Sequence, residues 1–309
     1  FDVTKQAGYG QKRDMIYARL LNGLALPDLS DFPASPRAGD QPLAWDVASP
    51  EPQSPPAGGP VAIIGAGLAG CHAARALAER GISVLLIDRA PDPASGGSGN
   101  AQGVLYAKPA AQGGDASDFN LAALQFAERH YVRWWRKKGV GDACGVMHLA
   151  RDGRDAQRHQ DLVAAWPRQS LFRLMDAQEA SRVAGIPLQQ SGLWFPGSGW
   201  LAPPALCREL LDHDNVEYRQ AGVARLQRAD QQWQLLDSDA QIIASTPRVI
   251  LACALGLREL MKENTLPVQA VRGQLSHTSL QGSDRGNDLR IALCGDGYVA
   301  PAQHGQLNF

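Results

Sequence analysis

The 309-residue chain lacks the features that mark membrane-spanning, disulfide-bonded and metal-dependent proteins. It contains no apolar run of roughly 18 residues or more, the length that a membrane-spanning helix needs. Its five cysteines are odd in number, scattered and without a Cys-x-x-Cys pair, so we expect reduced thiols in a cytoplasmic protein. The chain contains no His-x-His, His-Glu-x-x-His or Cys/His grouping that would indicate a metal site. It also contains no Gly-x-Ser-x-Gly motif, which would indicate the nucleophile of a hydrolase.

The chain also lacks an excess of charge of either sign, with 30 Lys and Arg against 31 Asp and Glu and a formal net charge of −1. This balance argues against a broad electrostatic surface for nucleic acid, but it does not exclude a local basic patch. The local candidate is the segment 129–138, in which Arg and Lys surround Trp134 and Trp135. Such interleaving is typical of RNA contact, and more often of an amphipathic helix with Trp in the core and its charges in water.

The strongest positive signal is the segment Val61–Asp88, which reads VAIIGAGLAGCHAARALAERGISVLLID. The apolar run Val61–Ile64 predicts a strand that is buried on both faces. An Ala-rich helix is expected over Leu68–Arg80, followed by Gly81 and a second strand over Ile82–Ile87. Strand, glycine-rich turn, helix and strand together form the βαβ unit that binds dinucleotides, although an empty βαβ unit is the alternative.

The glycines of this Gly-x-Gly-x-x-Gly turn have separate roles. Gly65 permits the tight turn, Gly67 lets a pyrophosphate approach the backbone, and Gly70 lets the helix pack close to the strand. The free N–H groups and the dipole at the helix N-terminus favour the phosphates. Asp88 follows at about the ~20-residue spacing of a carboxylate that accepts hydrogen bonds from ribose hydroxyls. We therefore assign seven residues to a cofactor: Gly65, Ala66, Gly67, Leu68, Ala69, Gly70 and Asp88.

A second loop of small residues, Ser95–Gly103, comes soon after Asp88. Its backbone N–H groups and short hydroxyl and amide side chains suit a phosphate or the polar edge of a flavin. The alternative is a flexible surface loop, but the position directly after the ribose acid favours the cofactor. The residues assigned here are Ser95, Ser98, Gly99, Asn100, Gln102 and Gly103.

Two later residues are candidates for substrate contact. Arg272, next to Gly273, offers a guanidinium that can hold a carboxylate through two hydrogen bonds. Tyr298, in the sequence Gly-Asp-Gly-Tyr, is a candidate to line the same pocket. A solvated arginine in a surface turn and a simple β-turn are the alternatives.

The chain divides into three predicted zones. Residues 1–21 are expected to form a β-hairpin with Met15–Leu20 as its second strand, and residues 22–59 a Pro-rich linker. Residues 60–309 are expected to fold as one globular region, in which a strand near 249–253 returns to the first sheet. Elsewhere we expect helices at 119–138 and 203–211, short strands and loops over 140–198, antiparallel strands at 216–218, 222–228 and 233–236, and a strand at 290–293.

Together these segments resemble the family of bifunctional tRNA 5-methylaminomethyl-2-thiouridine biosynthesis proteins. The most discriminating match is the loop SGGSGNAQG at 95–103. The other matching segments are GYGQKRDM at 8–15, GAGLAG at 65–70, LY at 105–106, GWLAPPAL at 199–206, RGQ at 272–274 and CGDGYVAPA at 294–302. The resemblance covers nearly the whole chain except the Pro-rich linker.

The resemblance implies an S-adenosylmethionine-dependent methyltransferase domain followed by an FAD-dependent oxidoreductase domain like those of D-amino-acid oxidase and glycine oxidase. We therefore expect an α/β fold in which an FAD-binding Rossmann-like βαβ domain carries an inserted, mainly antiparallel β substrate domain. Residues 1–21 would be a remnant of the methyltransferase domain, so we expect no methyl transfer by this chain. Residues 60–309 would be the oxidoreductase domain, incomplete at its C-terminus.

The implied reaction is the oxidative removal of the carboxymethyl group from 5-carboxymethylaminomethyl-(2-thio)uridine at the tRNA wobble position. FAD is the implied cofactor, tRNA the partner and a monomer the expected state, with no membrane and no metal. Within this resemblance we also assign Arg89, Val223 and Ala252 to the FAD site, and Arg272 and Tyr298 to the substrate. Two alternatives stay open: an NAD(P)-dependent reductase on a Rossmann fold, and a truncated, non-catalytic piece that binds tRNA or a partner.

Overall fold

The structure is a computed structural model that describes residues 2–7, 14–19, 59–135, 137–166, 170–261, 270–271, 273–281 and 285–309. The chain divides into two units between residues 57 and 58. In chain order, the strands are β1 (Asp2–Ala7), β2 (Asp14–Arg19), β3 (Val61–Ile64), β4 (Val84–Asp88), β5 (Gly103–Leu105), β6 (Gly141–Asp142), β7 (Val146–Leu149), β8 (Arg173–Met175), β9 (Gly192–Phe195), β10 (Gly199–Leu201), β11 (Val216–Gln220), β12 (Arg225–Ala229), β13 (Gln232–Leu236), β14 (Ile242–Thr246), β15 (Arg248–Leu251), β16 (His277–Ser279), β17 (Ala292–Cys294), β18 (Tyr298–Val299) and β19 (Gln306–Asn308). The α-helices are α1 (Leu68–Ala78), α2 (Asp115–Trp135), α3 (Gly153–Ala165), α4 (Ala177–Ala184), α5 (Pro203–Leu211) and α6 (Leu257–Leu260).

In the first unit, the described residues form a two-stranded hairpin. Strands β1 and β2 pair antiparallel, with Asp2 opposite Arg19 and Ala7 opposite Asp14. The hairpin expected from the sequence is confirmed, with its second strand one residue earlier than predicted. The Pro-rich segment 22–58 lies outside the described residues.

The second unit is built on a four-stranded parallel sheet with the order β11–β4–β3–β15. Every residue of β3 is buried, because the sheet is covered on both faces. On one face, Ile63 and Leu86 pack with Ala74 of α1 and Leu206 of α5. On the other face, Ile64 and its neighbours pack against the antiparallel meander β12–β13–β14. The result is a three-layer α/β/β arrangement around the central strands.

The remaining strands form a second, mainly antiparallel region. Its largest sheet has the order β18–β17–β7–β9–β8, in which only the β17–β7 pair is parallel. Met147 and Trp194 of this sheet pack with Ala180 and Ala184 of α4. Two smaller sheets, β5–β10–β6 and β16–β19, complete the described strands. The expected fold class, a Rossmann-like βαβ domain with an inserted mainly antiparallel region, is confirmed.

Several local predictions hold and others are wrong. The helix at 203–211 and the return of the strand near 249–253 to the first sheet are confirmed. The strand at 216–218 is expected to be antiparallel, but β11 pairs parallel with β4. The chain reaches β11 through helix α5, and such a helical connection lets the strand run in the same direction as β4. Over 140–198 the sequence analysis expects only short strands and loops, but the structure also contains the helices α3 and α4 there. Their amphipathic patterns are too short to indicate a helix. The sequence analysis also does not predict strand β14.

Candidate functional site

The carboxyl ends of all four parallel strands open into one cavity of about 740 Å³. Residues directly after β3, β4, β11 and β15 line it, as expected for ligand sites in open parallel sheets. The volume lies within the range of small-molecule and cofactor sites. The lining residues are Ile64, Gly65, Gly67, Leu68, Ala69, Ile87, Asp88, Arg89, Ala90, Ser95, Gly96, Gly97, Ser98, Ala221, Gly222, Val223, Ala224, Ser238, Ala252, Cys253, Ala254, Gly256, Glu259 and Leu260.

The glycines of the first turn are required by space and by backbone angles. Gly65 has φ +104°, and a Cβ there would lie 2.5 Å from the carbonyl oxygen of Ala252. A Cβ at Gly70 would lie 1.9 Å from the carbonyl oxygen of Gly65, so helix α1 can pack this closely only with glycine. Gly67 is different, because a Cβ there would meet only the Ser98 hydroxyl, at 3.1 Å.

The N-terminus of helix α1 lies at this cavity, and its N-cap residue, Gly67, has no side chain that could accept a hydrogen bond from the helix. The first N–H groups of an α-helix have no partner within the helix, which makes such an end an anion site. The Ser98 hydroxyl accepts a hydrogen bond from the Leu68 N–H at 3.0 Å, and the Ala94 N–H donates to the carbonyl of Ala66 at 2.8 Å. The loop of small residues is thereby fixed against the glycine turn.

Asp88 lies at the end of β4 and faces the same turn. Its Oδ2 accepts a hydrogen bond from the Ala66 N–H at 2.7 Å, and its Oδ1 accepts one from the Ala90 N–H at 2.9 Å. Each carboxylate oxygen can accept a further hydrogen bond, so the carboxylate can still hold a ribose hydroxyl. Tyr218 of β11 donates to the carbonyl of Ala90 at 2.8 Å. Burial raises the pKa of Tyr218 to about 12, so this hydroxyl keeps its proton.

The structure brings ten of the sequence-predicted cofactor residues to the cavity wall and leaves six outside it. The ten are Gly65, Gly67, Leu68, Ala69, Asp88, Arg89, Ser95, Ser98, Val223 and Ala252. The six are Ala66, Gly70, Gly99, Asn100, Gln102 and Gly103. Among these six, Ala66 and Gly70 shape the turn, and Gly99 closes the loop through its N–H to the carbonyl of Gly96 at 2.9 Å.

Gln102 is fully buried and connects the loop of small residues to the last described strands. Its Nε2 donates to the carbonyl of Pro301 at 3.0 Å, and its Oε1 accepts from Nδ2 of Asn308. Its backbone carbonyl accepts from the hydroxyl of Tyr298 at 2.8 Å. In this structure Tyr298 therefore positions the loop, while Arg272 lies outside the described residues.

Sequence reasoning missed the wall that follows β15. The 3₁₀ turn Ala254–Gly256 and helix α6 bring Cys253, Gly256 and Glu259 to the cavity. The available signal was the strand order, because a strand that returns beside β3 places its carboxyl end at the same edge.

The basic segment around Trp134 belongs to an amphipathic helix. Trp134 is buried, and the Arg133 guanidinium lies 3.9 Å from its ring centroid. Arg133 also pairs with Glu79 at 3.1 Å, and Lys137 pairs with Glu209. Among the described residues no group of three or more His, Cys, Asp or Glu is placed to hold a metal ion. None of the described helices has the length and apolar character to cross a membrane.

A parallel sheet with a glycine turn, a helix N-terminus that lines the cavity and an acid at the end of β4 define a dinucleotide-binding fold. The cradle fits an FAD pyrophosphate and ribose, because the glycine turn, the first residues of α1 and Asp88 line one cavity of about 740 Å³. Residues 60–309 match the family described as FAD dependent oxidoreductase. The chain belongs to this family, whose cofactor is FAD.

The chain is also similar to curated proteins named "tRNA 5-methylaminomethyl-2-thiouridine biosynthesis bifunctional protein MnmC". It is 43% identical over 247 residues to the protein of Pseudomonas syringae pv. tomato, an alignment covering 79% of this chain and 36% of the relative. It is 38% identical over 304 residues to that of Ectopseudomonas mendocina, covering 98% of this chain and 43% of the relative. The resemblance seen in the sequence is confirmed, although the chain spans less than half the length of these relatives.

Solved structures share the fold at low sequence identity. Glycine oxidase from Geobacillus kaustophilus has a TM-score of 0.64 and 18% identity, covering 80% of this chain and 69% of that one. Iminodiacetate oxidase from Chelativorans sp. BNC1 has a TM-score of 0.62 and 22% identity, covering 80% and 70%.

Proposed function

We propose that this protein removes the carboxymethyl group from 5-carboxymethylaminomethyl-(2-thio)uridine at the tRNA wobble position by FAD-dependent oxidation. The observation that carries the proposal is the 43% identity to a relative named for biosynthesis of 5-methylaminomethyl-2-thiouridine in tRNA. Family membership makes the NAD(P)-dependent alternative unfavoured. The proposal includes a cytoplasmic monomer, and the five free cysteines agree with a reducing compartment.

The substrate chemistry sets what the site must do. The substrate nitrogen is a secondary amine that bears an acetate arm. Oxidation removes two electrons and two protons from the C–N bond of that arm and leaves a carbon–nitrogen double bond. Water then adds and cleaves it, which releases glyoxylate and leaves a primary aminomethyl group on the base. FAD, when bound, supplies the two-electron acceptor for this oxidation.

The residues of this chain hold and orient the groups involved. The glycine turn and the N-terminus of α1 would hold the pyrophosphate, and Asp88 the ribose. Ser98 fixes the loop that closes over the same phosphates. The amine must be neutral when it is oxidised, so a site that excludes water would favour the reaction by lowering the pKa of that amine. We keep Arg272 and Tyr298 as proposed substrate contacts.

The test is a single-product assay on modified tRNA. Purified protein loaded with FAD is incubated with tRNA that carries 5-carboxymethylaminomethyl-2-thiouridine, and the nucleosides are analysed by mass after digestion. We expect loss of the carboxymethyl mass, appearance of 5-aminomethyl-2-thiouridine and equimolar glyoxylate. Flavin-loaded protein that leaves the nucleoside intact under aerobic conditions and with artificial electron acceptors would contradict the proposal.

A further inference from the structure

Strand β11 holds the chain beyond the point where its partner strand β4 ends. The two strands pair parallel through Asp88, and the Ala221 N–H donates to the backbone carbonyl of Asp88 at 2.8 Å. The hydroxyl of Tyr218 then donates to the carbonyl of Ala90, two residues past the end of β4, at 2.8 Å. A side chain of β11 therefore continues the contact where the backbone ladder stops.

The segment that follows Asp88 depends on such support. Residues 89–93 form bends and a turn, and two of them, Pro91 and Pro93, have no N–H with which to hold the backbone. Nε2 of Gln220, also on β11, donates to the carbonyl of Arg89 at 3.4 Å. Together with the shorter bond from the Tyr218 hydroxyl, this contact fixes the backbone of the segment 89–90 against the sheet.

This backbone in turn fixes the Asp88 carboxylate. Oδ1 of Asp88 accepts from the Ala90 N–H at 2.9 Å, and Oδ2 accepts from the Ala66 N–H at 2.7 Å. The two amide donors set the plane of the carboxylate, and each oxygen keeps a lone pair for a further hydrogen bond. A shift of Ala90 would turn the carboxylate, because one of these two donors would move with it.

Tyr218 is suited to position this backbone without contacting a ligand. It lies opposite Leu86 in the parallel ladder, and its ring packs against the core cluster that contains Leu86 and Ala94. Packing of the ring fixes the direction in which the hydroxyl points. Tyr218 is not one of the residues that line the nucleotide cavity, so its influence on a ligand has to pass through Ala90 and Asp88.

We infer that Tyr218 is a positioning residue for FAD, because its hydroxyl holds the Ala90 backbone that orients the Asp88 carboxylate toward the ribose. The inference rests on the ribose contact of Asp88 in the proposed function, and it does not depend on the tRNA substrate.

The first test compares two tyrosine hydroxyls. Tyr218→Phe keeps the ring and removes the donor, so the dissociation constant for FAD, measured by quenching of flavin fluorescence, should rise about 3- to 10-fold, the effect of one hydrogen bond. Tyr131→Phe is the matched control, because its hydroxyl is bonded to Nε2 of His72 at 3.0 Å and Tyr131 does not line the cavity. The control should bind FAD like the unaltered protein. An affinity of Tyr218→Phe within twofold of that of the unaltered protein would overturn the inference.

The second test shows whether the effect passes through the ribose. ADP, which carries the ribose and pyrophosphate of FAD, and its 2′,3′-dideoxy analogue, which lacks both ribose hydroxyls, are titrated by calorimetry into the flavin-free proteins. Tyr218→Phe should weaken binding of ADP about 3- to 10-fold and leave binding of the analogue within twofold, because Asp88 has no hydroxyl to hold in the analogue. Equal weakening of both ligands would mean that Tyr218 acts on the fold as a whole, and would overturn the inference.

The same titrations separate the inference from the proposed function. If the unaltered protein binds ADP and the dideoxy analogue equally tightly, Asp88 does not hold the ribose, and the role of Tyr218 falls with that contact. A protein that shows the expected pattern with both nucleotides but leaves the modified tRNA intact would refute the proposed oxidation and leave the role of Tyr218 standing.

Discussion

Replacing either of two glycines in the nucleotide turn by alanine should separate cofactor binding from folding. At Gly67 the backbone φ is −76°, an angle that alanine adopts freely, and the added Cβ would meet only the Ser98 hydroxyl at 3.1 Å. At Gly70 the added Cβ would lie 1.9 Å from the carbonyl oxygen of Gly65. That contact lies between two backbone segments, so helix α1 and the preceding turn would have to move apart.

The expected magnitudes follow from these contacts. In Gly67→Ala, the shifted Ser98 hydroxyl weakens its hydrogen bond from the Leu68 N–H, a loss of about 0.5–1.5 kcal/mol in the free energy of unfolding. The methyl group also displaces Ser98, which lines the nucleotide cavity together with Gly67, so we expect FAD affinity to fall by about 10-fold or more, which corresponds to ~1.4 kcal/mol. In Gly70→Ala, overpacking should cost at least ~1–3 kcal/mol of stability.

Two measurements decide the matter. Urea unfolding gives the free energy of unfolding of each variant without flavin, and quenching of flavin fluorescence gives the dissociation constant for FAD. Gly81→Ala serves as a control for backbone strain alone, because Gly81 has φ +75°, no atom within 4 Å of its added Cβ and no place in the cavity wall. If Gly67→Ala binds FAD as tightly as the unaltered protein, the pyrophosphate does not lie against this turn, and the cofactor assignment of the cavity is wrong.

Three further outcomes are expected. Asp88→Asn replaces one of two accepting oxygens by an NH₂ group, so equilibrium binding should show FAD affinity reduced by about 10-fold or more together with a lower melting temperature; unchanged affinity would remove Asp88 from the ribose site. Burial lowers the pKa of His72 to about 4, so the unfolded chain binds more protons than the native one between about pH 6.5 and 4. As the pH is lowered from about 6.5 to about 4, the free energy of unfolding should therefore fall by up to ~3 kcal/mol because of this residue. Urea titrations at several pH values should show a smaller fall in His72→Gln. Tyr298→Phe leaves the carbonyl of Gln102 without its donor, so thermal unfolding should reveal a loss of about 1–3 kcal/mol, and an unchanged melting temperature would contradict the positioning role.

The parallel sheet and its glycine turn were predictable because their signals are local. The buried run of β3, the three glycines and Asp88 lie within one short segment, and each has a distinct physical requirement. The wall formed by Cys253 and Glu259 has no such signal. Its position depends on β15 returning beside β3, a pairing in which Arg248 lies opposite Val61.

The limits of the sequence are clearest for residues whose partners are distant. Gln102 belongs to the most discriminating loop and was assigned to the cofactor, yet its side chain is bonded to Pro301 and Asn308. Only the fold shows that Arg151 pairs with the carboxylates of both Asp155 and Asp296, which are 141 residues apart in the sequence.

The bonds of Gln102 also set the order in which a newly synthesised chain can mature. Ribosomes deliver residues 95–103 long before Pro301 and Asn308, whose groups saturate the Gln102 amide in the interior. Until those late residues emerge, a buried amide would lack both partners, so the loop has no reason to settle in its final shape. Capture of flavin should therefore be a late event in the biogenesis of this protein, after synthesis of the strands that close over the loop.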